Sequence, residues 1–128
     1  MDKHKILISD DDRYWRESIF PDLLATSGFQ ILTASTLDET LALLDRHFFH
    51  IIVVDLCLDP SDESNRDGIQ TLRRAKSLGE GTRSIVLTGH GTAALARDTL
   101  VEYGAHDFLE KASLARGTAR TRTLCRIE

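Results

Sequence analysis

The chain is poor in several of the things that define protein classes. Among its 128 residues stand two cysteines, Cys57 and Cys125, far apart and in neither a CxxC nor a mixed Cys/His spacing, so a disulfide framework and a structural zinc site are both disfavoured. Eight glycines, two prolines and 28% charged residues fit neither a disordered nor a collagen-like composition. No apolar run approaches the ~20 residues of a membrane span. Met1-Asp2-Lys3-His4 leads straight into a short apolar-rich segment, unlike a secretory signal. A surplus of positive charge is missing too, because 16 basic against 20 acidic residues leave a net −4. Direct nucleic-acid or membrane binding by this chain is therefore not expected. A cytoplasmic protein in a reducing compartment is the expectation.

What is present is enough apolar material, 41% of residues, for one packed core and too little for two ordinary domains. The charge is uneven: Lys111, Arg116, Arg120, Arg122 and Arg126 against Glu128 give residues 111–128 a charge of +4, which leaves −8 on residues 1–110. The expected organisation is a single domain over 1–128 with its core at about 4–112, and 113–128 forming a last helix or the start of a linker.

Lys5-Ile6-Leu7-Ile8-Ser9 is a short run rich in β-branched residues that stops at three aspartates, which predicts a strand buried on both faces. Residues 29–34, 51–54 and 84–88 repeat that type, and Asp107-Phe108-Leu109 is a shorter fifth candidate. Helical stretches lie between. Thr36-Leu37-Asp38-Glu39 fits a capping box, after which Leu37, Leu41 and Leu44 share a face. Ile69, Leu72 and Leu78 mark another helix after Gly68, and Leu95, Leu100 and Val101 mark one between Thr92 and Gly104. The first helix, from about Asp12 to Ser27, contains Pro21, which should kink or split it. This alternation predicts βαβ units and a doubly wound α/β domain with a parallel sheet and helices on both faces.

In such sheets the functional groups gather beyond the carboxyl ends of the strands. Asp10-Asp11-Asp12 ends the first strand, Asp55 the third and Thr88 the fourth, and Lys111 follows the fifth. Carboxylates converging from separate strands repel one another and ask for a hard divalent cation, for which Mg2+ fits best. That arrangement leaves Asp55 an oxygen to act as nucleophile, with Thr88 donating to a transferred phosphoryl oxygen and Lys111 neutralising another. Taken singly, the residues have blander readings: the aspartates as an acidic first turn of a helix, Thr88 as a turn residue, Lys111 as a surface cation, Phe108 as core. Cys57 reads as an inert thiol, and His47 with His50 as packing at a helix-to-strand corner.

Ile-Leu-Ile-Ser-Asp10-Asp11-Asp12, Ile-Ile-Val-Val-Asp55-Leu, Val-Leu-Thr88-Gly-His-Gly and Tyr-Gly-Ala-His-Asp-Phe108-Leu-Glu-Lys111 resemble, in order and across about residues 4–112, the receiver domain of bacterial two-component response regulators. The resemblance implies a flavodoxin-like sheet of order 2-1-3-4-5 and phosphoryl transfer onto Asp55 from a sensor histidine kinase or phosphotransfer protein. It implies Mg2+ held by Asp10 and Asp11, with Asp11, Asp55 and the Cys57 backbone carbonyl as direct ligands. It implies too that Thr88 and Lys111 bind the phosphoryl group, and that Phe108 is an aromatic switch following Thr88. Homodimerisation through the fourth helix, fifth strand and last helix is a further implication. The chain departs from the family's pattern after Asp55, where Gly68 comes thirteen positions on and Pro60 is displaced, an insertion of about five residues. It brings Asp59, Asp62, Glu63 and Asp67 near the site, while Lys111-Ala112 replaces the usual Lys-Pro. His90, two residues past Thr88, is a candidate for governing water access to an acyl phosphate. The 17 residues after Lys111 are too few for a helix-turn-helix effector, which suits a single-domain regulator or a fragment of a longer one. The rival reading is a receiver-like interaction module that is not phosphorylated. A magnesium phosphohydrolase ranks last, because Leu56 and Cys57 break the Asp-x-Asp pair it needs.

Overall fold

In the computed structural model, which describes residues 4–25, 28–58, 65–79, 81–89 and 93–114, each of the apolar runs becomes a strand. They are β1 (Lys5–Ser9), β2 (Gln30–Ala34), β3 (Ile51–Asp55), β4 (Arg83–Thr88) and β5 (Asp107–Glu110). All pair in parallel in the order β2-β1-β3-β4-β5, the expected flavodoxin-like topology. Alternate side chains serve opposite faces. Leu7, Ile52, Val54 and Val86 meet Leu44, Leu72 and Ala75 in one core. Ile6, Ile8, Val53, Ile85 and Leu87 meet Phe20 and Leu24 in the other. β2 corrects one expectation: at the sheet edge it is not buried on both faces, and Gln30 and Thr33 are exposed.

The helices are α1 (Phe20–Leu23), α2 (Leu37–Arg46), α3 (Asp67–Ser77), α4 (Ala93–Val101) and α5 (Lys111–Leu114). Half of the capping box forms in α2: Thr36 Oγ1 accepts the Glu39 N–H at 3.2 Å, whereas the Glu39 carboxylate accepts not from the Thr36 N–H but from the Ser35 N–H, one residue earlier, at 3.0 Å. Pro21 distorts the first helix without breaking it. A π-helical turn at Trp15–Ile19 precedes α1, with the Phe20 N–H donating to the Trp15 carbonyl. Pro21 has no N–H for the carbonyl four residues back, and a wider turn accommodates that gap.

Two helical faces differ from the periodicity read in the sequence. Leu78 lies beyond α3 and is exposed, because Gly79 at φ +109° ends the helix there. In α4 the inward residues are Leu95 and fully buried Thr99, one turn apart. Leu100 and Val101, rotated about 100° and 200° from Thr99, are 40% and 74% exposed. His47 and His50 pack at the α2–β3 corner as expected: Lys5 Nζ meets His47 Nδ1 at 3.2 Å, and the Lys5 N–H donates to His50 Nδ1 at 3.1 Å. His106 does the same for β4, accepting the Ser84 N–H on Nδ1 at 3.0 Å. Among the described residues every peptide bond is trans, Lys111–Ala112 included. Cys125, the residue 115–128 tail, His90 and the acidic residues Asp59, Asp62 and Glu63 lie outside the described residues.

Candidate functional site

Parallel register brings the strand ends to one rim. Ser9 pairs with Val54, so Asp10 comes beside Asp55; Asp55 pairs with Leu87 and Thr88 with Glu110, the residue before Lys111. Local bonds hold the first carboxylate in place. Asp10 Oδ1 accepts the Asp12 N–H at 2.9 Å, its own N–H reaches the Ala34 carbonyl at 3.0 Å, and the Arg16 guanidinium grips its carbonyl at 3.0 Å. Below it the Thr40 hydroxyl donates to the Thr36 carbonyl at 2.7 Å, so Ser9 is the donor in the 2.7 Å Ser9–Thr40 bond that ties β1 to α2. The acidic-first-turn reading holds for Asp12 alone, whose Oδ1 accepts the Tyr14 N–H at 2.9 Å.

Asp55 is buried at 5% exposure with both oxygens engaged: Oδ1 accepts the Cys57 N–H at 3.1 Å, and Oδ2 meets Lys111 Nζ at 3.0 Å. Lys111 also sits 2.9 Å from Asp10 Oδ2, bridging the two carboxylates. On the other side of Asp55, the Gly68 N–H donates to the Leu56 carbonyl at 2.9 Å and brings α3 against β3. Asn65 closes the base of the inserted loop, its Oδ1 accepting the N–H groups of Leu58 at 3.1 Å and Asp67 at 3.0 Å. Thr88 is buried at the end of β4, and half-buried Phe108 lies in β5 opposite Val86. Cys57 is half-buried.

Burial raises the Asp10 carboxyl to a pKa of about 6, with the charge of Asp55 adding to it and Lys111 opposing. Asp55 and half-buried Asp11 are pushed up chiefly by burial as well. Burial pulls Lys111 down, but Asp10 and Asp55 outweigh it and hold its ammonium above the ordinary lysine value. Oxygens of Asp10, Asp11 and Asp55 lie within 4.8 Å of one another. Three carboxylates against one ammonium leave two negative charges on the cluster. A small divalent cation with oxygen preference fits that donor set in both charge and size. Sequence reasoning missed Trp15, whose ring faces the Lys111 ammonium at 5.3 Å, together with Arg16 and Asn65. For Trp15 there was a usable signal: the single tryptophan stands one helical turn past the acidic triplet.

A five-stranded sheet with this strand order, an acidic cleft and a lysine after the last strand define a receiver. The chain belongs to the response regulator receiver domain family, whose model matches residues 6–120, and it is the receiver domain of a two-component response regulator. It is 37% identical over 108 residues to the transcriptional regulatory protein CpxR of Klebsiella pneumoniae, covering 84% of this chain and 43% of that protein. With the transcriptional regulatory protein FixJ of Bradyrhizobium diazoefficiens it shares 32% identity over 109 residues, 85% of this chain and 50% of the relative. The chain thus spans half or less of the length of these curated relatives. Among solved structures, a CheY-like receiver domain protein from Methanospirillum hungatei superposes with a TM-score of 0.75 at 25% identity, over 98% of this chain and 96% of that one. A response regulator protein from Burkholderia pseudomallei with a phosphorylated aspartic acid, calcium ion and citrate gives a TM-score of 0.72 at 26% identity, over 98% and 72%. No helix among the described residues is long and apolar enough to cross a membrane.

Proposed function

We propose that Asp55 accepts a phosphoryl group from the phosphohistidine of a sensor histidine kinase or phosphotransfer protein, and that the new charge biases the domain between two conformations. The observation that carries this reading is the setting of Asp55, held by the Cys57 N–H at 3.1 Å and Lys111 at 3.0 Å. In the transfer an Asp55 oxygen bonds to phosphorus as the phosphorus–nitrogen bond to the imidazole breaks, and the freed imidazole takes its proton from water. The protein's part is positioning and charge. Lys111, already beside Asp55, neutralises one transferring oxygen, and the Thr88 hydroxyl on the same rim donates to another. Asp10, Asp11 and Asp55 would hold Mg2+ with the Cys57 carbonyl, and the ion would supply positive charge against the phosphoryl oxygens. The only reactions the domain catalyses are its own phosphorylation and dephosphorylation.

Movement of Thr88 toward the phosphoryl group lets Phe108 change rotamer, and this alters the α4–β5–α5 surface. Leu100 and Val101, exposed on α4, support homodimerisation through that surface. The same reading has it work in the cytoplasm as one receiver over residues 1–128, and the net charge of −4 supports the lack of nucleic-acid contact of its own. The aspartyl phosphate in the Burkholderia pseudomallei relative supports the same chemistry.

Intact-mass spectrometry after incubation with acetyl phosphate, with and without Mg2+ and with Asp55→Asn in parallel, tests the reading. A magnesium-dependent gain of one phosphoryl group that the variant lacks is expected. No gain in folded protein would overturn it in favour of a receiver-like interaction module.

A further inference from the structure

Trp15 presents its ring to the Lys111 ammonium, 5.3 Å from nitrogen to centroid. Phe20 packs against the indole at 5.9 Å with the planes tilted 53°, over the core of Ile6, Ile8 and Leu24. The π turn makes this packing feasible. Residues five apart on an α-helix point about 140° apart; the wider turn narrows that angle, so Trp15 and Phe20 share one side of the helix while their backbones are joined by the Phe20 N–H. Lys111 has a flexible four-carbon stem, yet its side chain is only 14% exposed, with Asp10 and Asp55 on one side of the ammonium and the indole on another.

We propose that Trp15 is a positioning residue, its π-face holding the Lys111 ammonium on the Asp10–Asp55 pair so that the cation is in place before transfer begins. The same grip opposes Mg2+, because it keeps a like charge against the carboxylates that bind the metal. Two consequences of opposite sign follow. Loss of the indole slows phosphorylation, because Lys111 wanders, and tightens Mg2+ binding, because Lys111 yields the carboxylates more easily. The first rests on the phosphoacceptor reading; the second does not.

The experiment uses the full chain as wild type, Trp15→Leu, Trp15→Phe, Lys111→Met and the Trp15→Leu/Lys111→Met double variant. Each is titrated with Mg2+ by calorimetry and labelled with acetyl phosphate followed by intact mass. Leucine keeps apolar bulk without a π-face; phenylalanine keeps the face. Trp15→Leu is expected to bind Mg2+ about three- to tenfold more tightly and to label about three- to tenfold more slowly, as a desolvated cation–π contact implies. Trp15→Phe stays within about twofold on both, and the Mg2+ effect of Trp15→Leu vanishes when Lys111 is methionine. A loosened fold would instead weaken metal binding and labelling together. Equal behaviour of the leucine and phenylalanine variants, metal affinity that falls with the rate, or a leucine effect that persists without Lys111 would each overturn the proposal. If the wild type takes no label, the phosphoacceptor reading falls, and the Mg2+ titrations by themselves establish or overturn the grip of Trp15 on Lys111.

Discussion

Gly68 shows how narrowly single residues constrain the site. A Cβ there would lie 2.4 Å from the Asp55 carbonyl oxygen and 2.6 Å from the Leu56 Cα, both backbone atoms that cannot turn aside. Only glycine lets α3 approach the end of β3 this closely. Gly68→Ala is expected to destabilise the domain by about 1–3 kcal/mol through overpacking and to slow acetyl phosphate labelling, since the displaced atoms include the carbonyl of Asp55, the proposed acceptor. Urea denaturation beside labelling rates checks both; a variant as stable and as active as wild type would show that the two elements slide apart freely. At this scale the sequence was legible wherever chemistry dictates residue type. The acidic pair, Asp55, Thr88 and Lys111 stand at strand ends, where a rule about parallel sheets says to look. Trp15 and Arg16 escaped because their partners, Lys111 and the Asp10 carbonyl, are reached through the turn of the first helix, which periodicity does not describe.

Elements were legible where period and capping agree. Thr36 and Glu39 announce α2, and the structure forms the Thr36 half of the box, with Glu39 turned to the Ser35 N–H. Runs of β-branched residues give the strands, though only their place in the sheet distinguishes the buried centre from the half-exposed edge. α4 misled because Leu100 and Val101 are apolar yet outward, while the inward position is a threonine whose hydroxyl is satisfied by the Ala96 carbonyl at 3.0 Å. A polar residue that bonds within its own helix can occupy a core position, and hydrophobic pattern alone cannot see it. The segment between β3 and α3 depends on one side chain. Asn65→Ala leaves the N–H groups of Leu58 and Asp67 without their acceptor, so a loss of about 1–3 kcal/mol is expected. Asn65→Asp, which keeps an acceptor oxygen, should recover most of it. Equal losses in the two variants would mean that these bonds contribute little.

Over the whole molecule, the two rims of the sheet respond to acid in opposite senses. At the carboxyl rim, Asp10 titrates near 6 in the fold against an ordinary 3.8, so the folded state binds the extra proton between those values and stability falls as pH rises through them. Asp11 and Asp55 shift the same way. At the amino rim, His50 is lowered, by burial and then by His4 stacked 4.2 Å away. Its stabilising neutral form, with Nδ1 accepting the Lys5 N–H, is present above the ordinary value of about 6.5 and lost as pH falls. The two effects partly cancel on acidification from neutral pH. Urea unfolding of metal-free protein should therefore vary little between about pH 7 and 5. Asp10→Asn should turn that profile into a decline with acid and His50→Gln into a rise; unchanged profiles in both variants would refute the assignment. The parallel, doubly wound architecture was legible here too, because strands alternate with helices, whereas the strand order was implied by the resemblance to receivers. The opposition of the rims was not legible, since it depends on which imidazole nitrogen meets a backbone N–H.

The Asn65 bridge also separates two design problems that a shorter loop would merge. One amide joins Leu58 to Asp67, so the spacing of β3 and α3 is set by that bond and not by the length of the segment between them. Halving or doubling it alters closure entropy by only about 0.6 kcal/mol. Length and charge can therefore drift between Leu58 and Asp67, by insertion, deletion or charge reversal, while the surroundings of Asp55 stay under separate selection. For an engineer, Leu58 and Asp67 mark the two ends of a socket into which a segment of another length can be fitted.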